Sequence, residues 1–430
     1  MGGDEPSPST DSEPSYAVVG GGLHGVCVAA HLRAAGVETD RLTIYDPHPE
    51  LLAVFADRTE RCGTRTLRSS IDHHVGATTT LASFAADRDR EVELVSTTDY
   101  PRRPTLGLFL DHAHHVVTRH DLDACHVQAA VTGVTRDGGG ERYRLDTTAG
   151  AATADRIVLA VGLDAGLSYP AWARSLPADA PVTHVWADGS TPADLAARPG
   201  RTVVVGGGAT AGQLACRLAT GSVSADRRAG AGAEGVTLLC RRPLRVQQAE
   251  APSSWTAYDH LAETLHTLPP GGRERHRLLQ QARADGTVPP YVRVRLRKAR
   301  DEGRLVGRVG EATAATATDD GVRLELADGD SLSAGAVVLA TGLEPVASHP
   351  LLARFAETLG LACGVENYPI PCDRTLAWRR TNGDRSRVFV TGAAATTALG
   401  PLAPNLAGAR LAADRLQSLV AARRRSRASG

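Results

Sequence analysis

Two glycine clusters, each directly after a short apolar run, have the spacing of a dinucleotide-binding turn. The first is Gly20-x-Gly22-x-x-Gly25, which follows an apolar run that begins at Tyr16. In such a turn the first glycine permits a tight bend, and the second lets the backbone approach a pyrophosphate. The third lets the following helix pack closely on the strand, so that the helix N-terminus faces the anion. The first cluster therefore predicts a dinucleotide phosphate site.

The end of the next predicted strand carries an acid in a suitable place. Residues 42–45 form an apolar run that ends in Asp46, 21 residues beyond Gly25. An acidic residue about 20 positions after the glycines accepts a hydrogen bond from a ribose hydroxyl in this type of site. The alternative is a glycine-rich turn with an unrelated acid.

The second cluster repeats this pattern with a different ending. It consists of Gly206, Gly208 and Ala211 at the same spacing. The strand that follows, residues 236–240, ends in Arg241 and Arg242 instead of an acid. Guanidinium groups suit the 2′-phosphate of NADPH, because they form forked hydrogen bonds with phosphate oxygens. The alternative is that these arginines are ordinary solvated loop charges.

The two endings imply two different dinucleotides on one chain. The economical pairing is FAD in the first cluster and NADPH in the second. In such a pair the flavin supplies the redox chemistry, while the protein orients and shields it.

The clusters belong to a larger internal repeat. Each is followed more than a hundred residues later by a similar strand ending, at Gly162 and at Gly342, and before each ending two short strands flank a turn rich in Asp and Gly. This order predicts an α/β fold with two Rossmann-like dinucleotide-binding domains (FAD and NADPH) and β-meander insertions. The predicted segments are a disordered N-terminus at 1–15, an FAD-binding domain at 16–165 with 340–421, an NADPH-binding domain at 166–339 and a basic tail at 422–430.

Three further segments have a distinctive composition. The polar stretch 221–235 predicts a flexible excursion between a helix and a strand. Residues 257–305, rich in Leu, Arg and Glu, predict short surface helices. The arginine-rich tail predicts a solvated, frayed terminus.

Charge and cysteine content exclude several classes of protein. The 430 residues include 48 Lys and Arg and 48 Asp and Glu, a balance that argues against a nucleic-acid partner. No apolar run is long enough to cross a bilayer, and residues 1–15 lack the apolar stretch of a signal peptide. The seven cysteines form no CxxC pair, which argues against a zinc ribbon or a disulfide framework and favours the cytoplasm. The sequence leaves open whether the chain forms a homo-oligomer.

A histidine cluster could suggest a metal site. His112, His114 and His115 lie in a segment whose apolar residues follow a helical period. That period predicts a surface helix with most of the histidines on its wetter sides, and we therefore expect no metal; a zinc site is the alternative.

Taken together, these residues resemble the two-dinucleotide-binding-domain flavoproteins, in particular the N-hydroxylating branch of the class B flavin-dependent monooxygenases. The repeat covers about residues 16–415. Residues 67–75, followed by 80–84, are similar to that branch's segment beside the flavin. Residues 388–392 and 399–410 resemble the strand, loop and helix that close over the flavin ring.

The resemblance implies further cofactor-binding residues. Arg68 and His73 belong to the segment beside the flavin, with a purely structural histidine as the alternative for His73. Gly392, Pro401 and Asn405 belong to the closing segment. Asn405 is expected to cap the following helix, to contact the carbonyl edge of the ring, or to do both.

The chain departs from the family pattern at two places. The usual Gly-Asp of the closing strand is Gly392-Ala393. The single lysine, Lys298, lies far along the chain from residues 67–75, so the lysine that holds the substrate carboxylate in ornithine hydroxylases has no counterpart. This second departure argues against ornithine as the substrate.

The resemblance implies an NADPH-dependent FAD monooxygenase. NADPH would reduce FAD, O₂ would form a flavin C4a-hydroperoxide, and one oxygen would pass to a soft nucleophile, foremost the amine nitrogen of a small molecule. This chemistry requires no protein acid or base, so we assign no catalytic residue. The alternatives are an NAD(P)H-dependent flavoprotein reductase or dehydrogenase, and a non-catalytic protein that binds FAD and NADPH.

Overall fold

The structure is a computed structural model that describes residues 13–137, 142–163, 165–189, 191–221 and 235–428. The strands of these residues are β1 Tyr16–Val19, β2 Leu42–Asp46, β3 Leu94–Thr97, β4 Tyr100–Pro104, β5 His126–Gln128, β6 Val131–Arg136, β7 Tyr143–Thr147, β8 Gly150–Ala154, β9 Arg156–Leu159, β10 Val182–His184, β11 Thr202–Val205, β12 Val236–Cys240, β13 Arg245–Val246, β14 Thr287–Val288, β15 Leu305–Val309, β16 Ala312–Thr318, β17 Gly321–Leu326, β18 Ser331–Ala334, β19 Ala336–Leu339, β20 Ala377–Arg379 and β21 Arg385–Val390. The helices are α1 Leu23–Ala34, α2 Ala53–Arg61, α3 Leu81–Ala86, α4 Leu106–Arg119, α5 Leu122–Cys125, α6 Ala171–Arg174, α7 Pro192–Ala196, α8 Ala209–Gly221, α9 Tyr258–His260, α10 Arg273–Ala282, α11 Pro290–Asp301, α12 Pro350–Leu359, α13 Thr396–Leu399 and α14 Leu406–Ala428.

The first sheet combines strands from both ends of the chain. Its six strands lie in the order β20-β21-β9-β1-β2-β5. All neighbours pair in parallel except β20 and β21, which are antiparallel. We call this sheet and the elements packed on it the first unit.

The second sheet repeats the central order of the first. Its five strands, β10-β19-β11-β12-β15, all pair in parallel. The run β19-β11-β12-β15 corresponds strand for strand to β9-β1-β2-β5. We call this sheet and its covering elements the second unit. The prediction of an α/β fold with two Rossmann-like units is confirmed.

Each unit also contains a small antiparallel meander, as predicted. In the first unit β6, β7 and β8 form a three-stranded sheet, and in the second unit β16, β17 and β18 do the same. The second meander bends where predicted, because Gly321 begins β17 at a φ of +148°, a conformation that favours glycine.

Both parallel sheets are covered on their two faces, which explains the near-continuous apolar runs of their strands. In β1, Val18 packs into one core of the first unit while Ala17 and Val19 pack into the other. In β19, Val338 and Val337 likewise face opposite cores. Helices α1 and α14 pack against each other on one of the covered faces of the first sheet.

Three segments can be compared with their predictions. Residues 257–305 do contain helices, but α11 is more than a surface helix, because it packs on α8 and buries Val292 and Leu296. The backbone of the predicted basic tail continues α14 as far as Ala428. The predicted flexible excursion at 221–235 lies almost entirely outside the described residues, as do residues 1–12 of the predicted disordered N-terminus. Among the described helices, none has the length and apolarity needed to cross a lipid bilayer.

Candidate functional site

The first glycine cluster forms a tight connection between β1 and α1. Gly20 has a φ of +109°, and a Cβ atom there would lie 2.3 Å from the carbonyl oxygen of Ala160. A Cβ atom on Gly25 would lie 1.8 Å from the carbonyl oxygen of Gly20, so only glycine allows α1 to approach the strand this closely. Around Gly22, in contrast, nothing lies within 4 Å of a Cβ position. The turn is therefore closed behind Gly20 and Gly25 and open in front of Gly22, at the N-terminus of α1.

Asp46 lies beside this turn, at the end of β2. Its Oδ2 accepts a hydrogen bond from the backbone N–H of Gly21 at 2.6 Å, and its Oδ1 accepts one from the N–H of His48 at 2.9 Å. Nδ1 of His48 also lies 2.8 Å from Oδ1. A carboxylate oxygen has two lone pairs, so Oδ2 retains capacity for a ribose hydroxyl. The sequence places the acid here because the carboxyl ends of parallel strands meet at one edge of a sheet.

The second glycine cluster has the same construction between β11 and α8. Gly206 has a φ of +152°, and a Cβ atom on it would lie 2.4 Å from the carbonyl oxygen of Ala340. Ala211 is fully buried and packs directly against Gly206, as the third residue of the motif should. Gly208 faces open space, with its nearest neighbour 3.9 Å from a Cβ position.

Arg241 and Arg242 follow β12 and are both exposed. Arg241 has a long ion pair with Glu311, at 3.9 Å. Surface ion pairs at such distances contribute little to stability. The guanidinium groups therefore remain available to an anionic ligand.

A cleft of about 1020 Å³ runs from the second cluster towards the first unit. At one end it is lined by Gly206, Gly208, Arg241 and Arg242. At the other end it is lined by residues of the predicted closing segment, namely Ala393, Thr396, Pro401 and Pro404. The structure thus brings four of the five predicted NADPH residues into one cavity with Pro401, whereas Ala211 and the other predicted FAD residues do not line it.

The closing segment follows β21. Gly392 has a φ of +64° and lies against the ring of His24. The carbonyl oxygen of Pro401 accepts a hydrogen bond from Nη1 of Arg283 at 2.6 Å. The backbone oxygen of Asn405 accepts from the N–H of Ala409 in the first turn of α14, while the side-chain amide of Asn405 donates to Glu250.

Residues 67–75 lie between the two units. The guanidinium of Arg68 donates to Glu250, to the carbonyl oxygens of Gln247 and Gln248, and to the hydroxyl of Thr287. All these partners belong to the second unit. His73 is half-buried, and its Nδ1 lies 3.5 Å from Oγ of Ser70. Burial lowers the pKa of His73.

His24, which lies inside the first glycine motif, was not singled out from the sequence. Its Nε2 lies 3.3 Å from the carbonyl oxygen of Pro404, and its Nδ1 lies 3.0 Å from Oγ1 of Thr391. Because a carbonyl oxygen only accepts, the proton is on Nε2, and Nδ1 accepts from the threonine hydroxyl. Burial lowers the pKa of His24 to about 4, so the ring is neutral at physiological pH.

Two of the three histidines of α4, His114 and His115, lie on its wetter sides as expected, and His112 is the exception. His114 is exposed, but His112 is fully buried, with Nε2 bonded to the carbonyl oxygen of Thr79 at 3.0 Å. The signal was present in the sequence, since His112 lies three residues after Phe109 and four before Val116 on the apolar face. The described residues contain no group of three or more His, Cys, Asp or Glu side chains arranged to hold a metal ion.

The buried neutral histidines predict that stability falls on acidification. Burial lowers the pKa of His24 and of His112 to about 4, and burial together with Arg410 lowers that of His74 to about 3. Above pH 6.5 these rings are neutral in both the folded and the unfolded chain, so they contribute no pH dependence there. Below pH 6.5 these histidines become protonated in the unfolded chain, but in the folded chain they stay neutral until the pH approaches their lowered pKa values. We expect the free energy of unfolding to fall by on the order of 1 kcal/mol per histidine between pH 7.5 and 5.5.

Urea unfolding at the two pH values checks this prediction. The matched variants are His112→Phe, which should weaken the pH dependence, and His114→Gln at an exposed site of the same helix, which should leave it unchanged. Equal free energies of unfolding at both pH values in the parent chain would contradict the assignment of neutral buried rings.

Sequence reasoning also missed Glu250 and Arg283. The carboxylate of Glu250 accepts hydrogen bonds from both Arg68 and Asn405. Arg283, which lines the cleft, donates to the carbonyl oxygen of Pro401. Each contact links residues more than a hundred positions apart in the chain, and neither follows a motif or a helical period. No sequence signal could have identified them.

Comparison with protein families matches residues 17–164 to a family model described as FAD-NAD(P)-binding. The match contains the first glycine cluster and Asp46. Comparison with curated protein sequences gives no match.

Comparison with solved structures extends the likeness to nearly the whole chain. An ornithine hydroxylase from Pseudomonas aeruginosa is 17% identical, with 95% of this chain and 99% of that chain covered and a TM-score of 0.72. An ornithine N-hydroxylase from Kutzneria sp. 744, solved with reduced FAD, NADP⁺ and L-ornithine, is 15% identical, with 96% and 100% covered and a TM-score of 0.73. An L-lysine 6-monooxygenase from Pseudomonas syringae is 20% identical, with 95% and 99% covered and a TM-score of 0.70. At the level of the fold, these likenesses confirm the predicted resemblance.

Proposed function

We propose that this protein is an NADPH-dependent FAD monooxygenase that hydroxylates an amine nitrogen of a small molecule in the cytoplasm. The observation that carries the proposal is the cleft, which connects the open turn at Gly206 and Gly208 to the closing segment at Ala393 and Pro401. Residues that would hold the electron donor and residues that would close over the flavin thus line the same cavity, as direct transfer between the two would require.

The first cluster fits FAD. The open space in front of Gly22 and the first N–H groups of α1, which have no partner within the helix, suit a pyrophosphate. Asp46 is placed to accept from a ribose hydroxyl. The residues that we propose to hold FAD are Gly20, Gly22, Gly25, Asp46, Arg68, His73, Gly392, Pro401 and Asn405.

The second cluster fits NADPH by the same argument. The backbone at Gly208 is open to the cleft, α8 begins just beyond it, and exposed arginines lie where the 2′-phosphate is expected. The residues that we propose to hold NADPH are Gly206, Gly208, Ala211, Arg241 and Arg242.

When bound, FAD supplies the redox chemistry that connects NADPH to O₂. The proposed overall reaction converts an amine, O₂, NADPH and a proton into a hydroxylamine, NADP⁺ and water. The chain's contribution is to hold both dinucleotides in a fixed relation and to exclude water from the region between them. Buried apolar residues of the closing segment, Ala393 and Leu402 among them, suit that second role.

An amine substrate is supported by what the structural neighbours act on. Ornithine and lysine, the substrates in their names, each carry a terminal primary amine. The single lysine of this chain, Lys298, lies on α11 in the second unit, so it does not take the place of a lysine in residues 67–75. We therefore propose an amine whose recognition does not depend on a lysine at that segment.

The decisive experiment supplies the FAD-loaded protein with NADPH, ¹⁸O₂ and a panel of amines, with sulfides as controls. We expect NADPH oxidation to accelerate with one class of amine and the hydroxylated product to carry one ¹⁸O atom, measured by mass spectrometry. Unlabelled products combined with rapid electron transfer to quinone or iron–sulfur acceptors would instead establish a reductase.

A further inference from the structure

We propose that Glu250 is a positioning residue that sets the geometry between the closing segment and the NADPH-binding unit; this inference rests on the proposed function. We call the contacts among Arg68, Glu250 and Asn405 the Glu250 bridge. Nothing in the sequence motifs assigns Glu250 a role, and the residue touches neither glycine cluster.

The carboxylate of Glu250 uses both of its oxygens. Oε1 accepts from Nη1 of Arg68 at 2.9 Å, and Oε2 accepts from the side-chain amide of Asn405 at 2.9 Å. The backbone oxygen of Glu250 accepts from the N–H of Ala284 at 2.7 Å, which fixes the loop that carries it. The side chains of Arg68 and Glu250 are only 15% and 23% exposed, so this ion pair is weakly screened by solvent.

The bridge joins one loop of the second unit to two segments of the first that the resemblance places beside the flavin. Arg68 belongs to residues 67–75, and Asn405 directly precedes α14. The closing segment is also held nearer its start, where Arg283 donates to Pro401. Residues 401–405 are thus held by hydrogen bonds at both ends.

Other contacts keep the two units together without Glu250. Arg68 and Gln248 exchange reciprocal side-chain-to-backbone hydrogen bonds at 2.7 and 3.1 Å. Elsewhere, Arg217 of α8 donates to the carbonyl oxygens of Glu60 and Arg61 at the end of α2. Loss of the Glu250 carboxylate should therefore free the side chain of Asn405 without separating the units, while Leu402 stays in a buried cluster with Trp255 and Leu261.

Replacing one atom of the Glu250 carboxylate is enough to break the bridge. The guanidinium of Arg68 and the amide NH₂ of Asn405 only donate hydrogen bonds, so both carboxylate oxygens are required as acceptors. In Glu250→Gln an NH₂ group of about the same size replaces one of these two oxygens. That variant breaks one arm of the bridge and leaves the local volume unchanged.

A fixed closing segment matters because transfer between bound molecules depends steeply on their distance and orientation. A displacement of about 1 Å at a reacting centre can lower a rate a hundredfold. We expect Glu250→Gln to slow reduction of bound FAD at saturating NADPH by on the order of tenfold or more. The KM for NADPH should change by less than about threefold, since the second glycine cluster is not touched. The reduction rate is expressed per bound FAD, because Arg68 and Asn405 are themselves proposed to hold FAD.

The test uses the full-length chain, with Glu263→Gln as the matched control at an exposed acid elsewhere in the chain. Stopped-flow absorbance gives the reduction rate, and hydrogen exchange of the protein without cofactor gives the protection of the first amides of α14. Slower reduction together with faster exchange near Ala409, both absent from the control, is the expected result. Unchanged exchange, an unchanged reduction rate, or a loss of FAD content equal to the loss of rate would overturn the proposal.

A second variant separates positioning from general damage. In Glu250→Gln combined with Asn405→Asp, the new NH₂ group meets a new acceptor, so the broken arm is restored with its polarity reversed. We expect the double variant to recover most of the reduction rate and of the exchange protection. Additive damage in the double variant would count against the bridge. If NADPH does not reduce the FAD bound to the parent protein, the proposed function itself fails. If NADPH reduces the FAD of the parent and of Glu250→Gln at equal rates, only the proposed role of Glu250 fails.

Discussion

Replacing Gly25 with alanine is expected to abolish FAD binding and to destabilise the first unit. The new Cβ atom would lie 1.8 Å from the carbonyl oxygen of Gly20. Both atoms belong to, or are bonded directly to, the backbone, so no rotamer change relieves the clash, and α1 must move away from β1. Overpacking of this kind costs about 3 kcal/mol. Flavin absorbance of the purified protein and its thermal unfolding midpoint measure the two effects.

Two other glycines provide matched controls for Gly25→Ala. Gly22→Ala meets nothing within 4 Å, so the fold should persist, but the methyl group would occupy the space where the pyrophosphate approaches and FAD affinity should fall. Gly107→Ala, at an open position in the first turn of α4, should leave FAD binding unchanged and should not lower the thermal midpoint, because alanine favours the helix more than glycine does. If Gly25→Ala behaved like Gly107→Ala, the close contact of strand and helix described for this turn would be wrong.

Removal of both Arg241 and Arg242 is expected to raise the KM for NADPH by about ten- to a hundredfold. Hydrogen bonds to charged groups contribute about 1.5–3 kcal/mol, and each 1.4 kcal/mol corresponds to a factor of ten. The KM for NADH should stay nearly constant because NADH lacks the 2′-phosphate. Steady-state oxidation of the two nucleotides by the Arg241→Ala, Arg242→Ala double variant measures the change in preference.

The control for this prediction is Arg297→Ala, which removes an exposed arginine of α11. This variant has the same charge change as one of the paired substitutions but lies outside the cleft. Equal losses with NADPH and NADH in the double variant would show that the arginines act on the fold or on general charge instead of the 2′-phosphate.

The fold was accessible from the sequence because its two units use the same local signals. Each unit begins with an apolar strand, a glycine turn and a helix, and these short-range patterns fix the edge at which the strands end. Asp46 and Arg241 follow β2 and β12, the corresponding strands, so their positions beside the turns could be predicted without coordinates. The Gly392, Pro401 and Asn405 assignments came from resemblance instead, and their contact with FAD stays a prediction.

What the sequence could not supply are the contacts between the units. Glu250 meets Arg68 and Asn405 across 182 and 155 positions of the chain. Such pairings depend on how two separately formed sheets dock, which no local period encodes. His112 is a different case, because its helical position did indicate burial and only its polarity argued for the surface. The carbonyl oxygen of Thr79 accepts a hydrogen bond from its Nε2, while among the described residues its buried Nδ1 has no hydrogen-bond partner.

The position of β21 in the first sheet has a consequence for biosynthesis. β21, residues 385–390, lies between β9 and β20, so two of the six strands of that sheet are translated after the entire second sheet, which is complete by residue 339. During translation the second unit can therefore fold before β20 and β21 are synthesised. Until then the edge of β9 that later pairs with β21 is unpaired. Unpaired edges of this kind recruit other chains, so the interval between residues 339 and 390 is when the newborn polypeptide most needs chaperone protection.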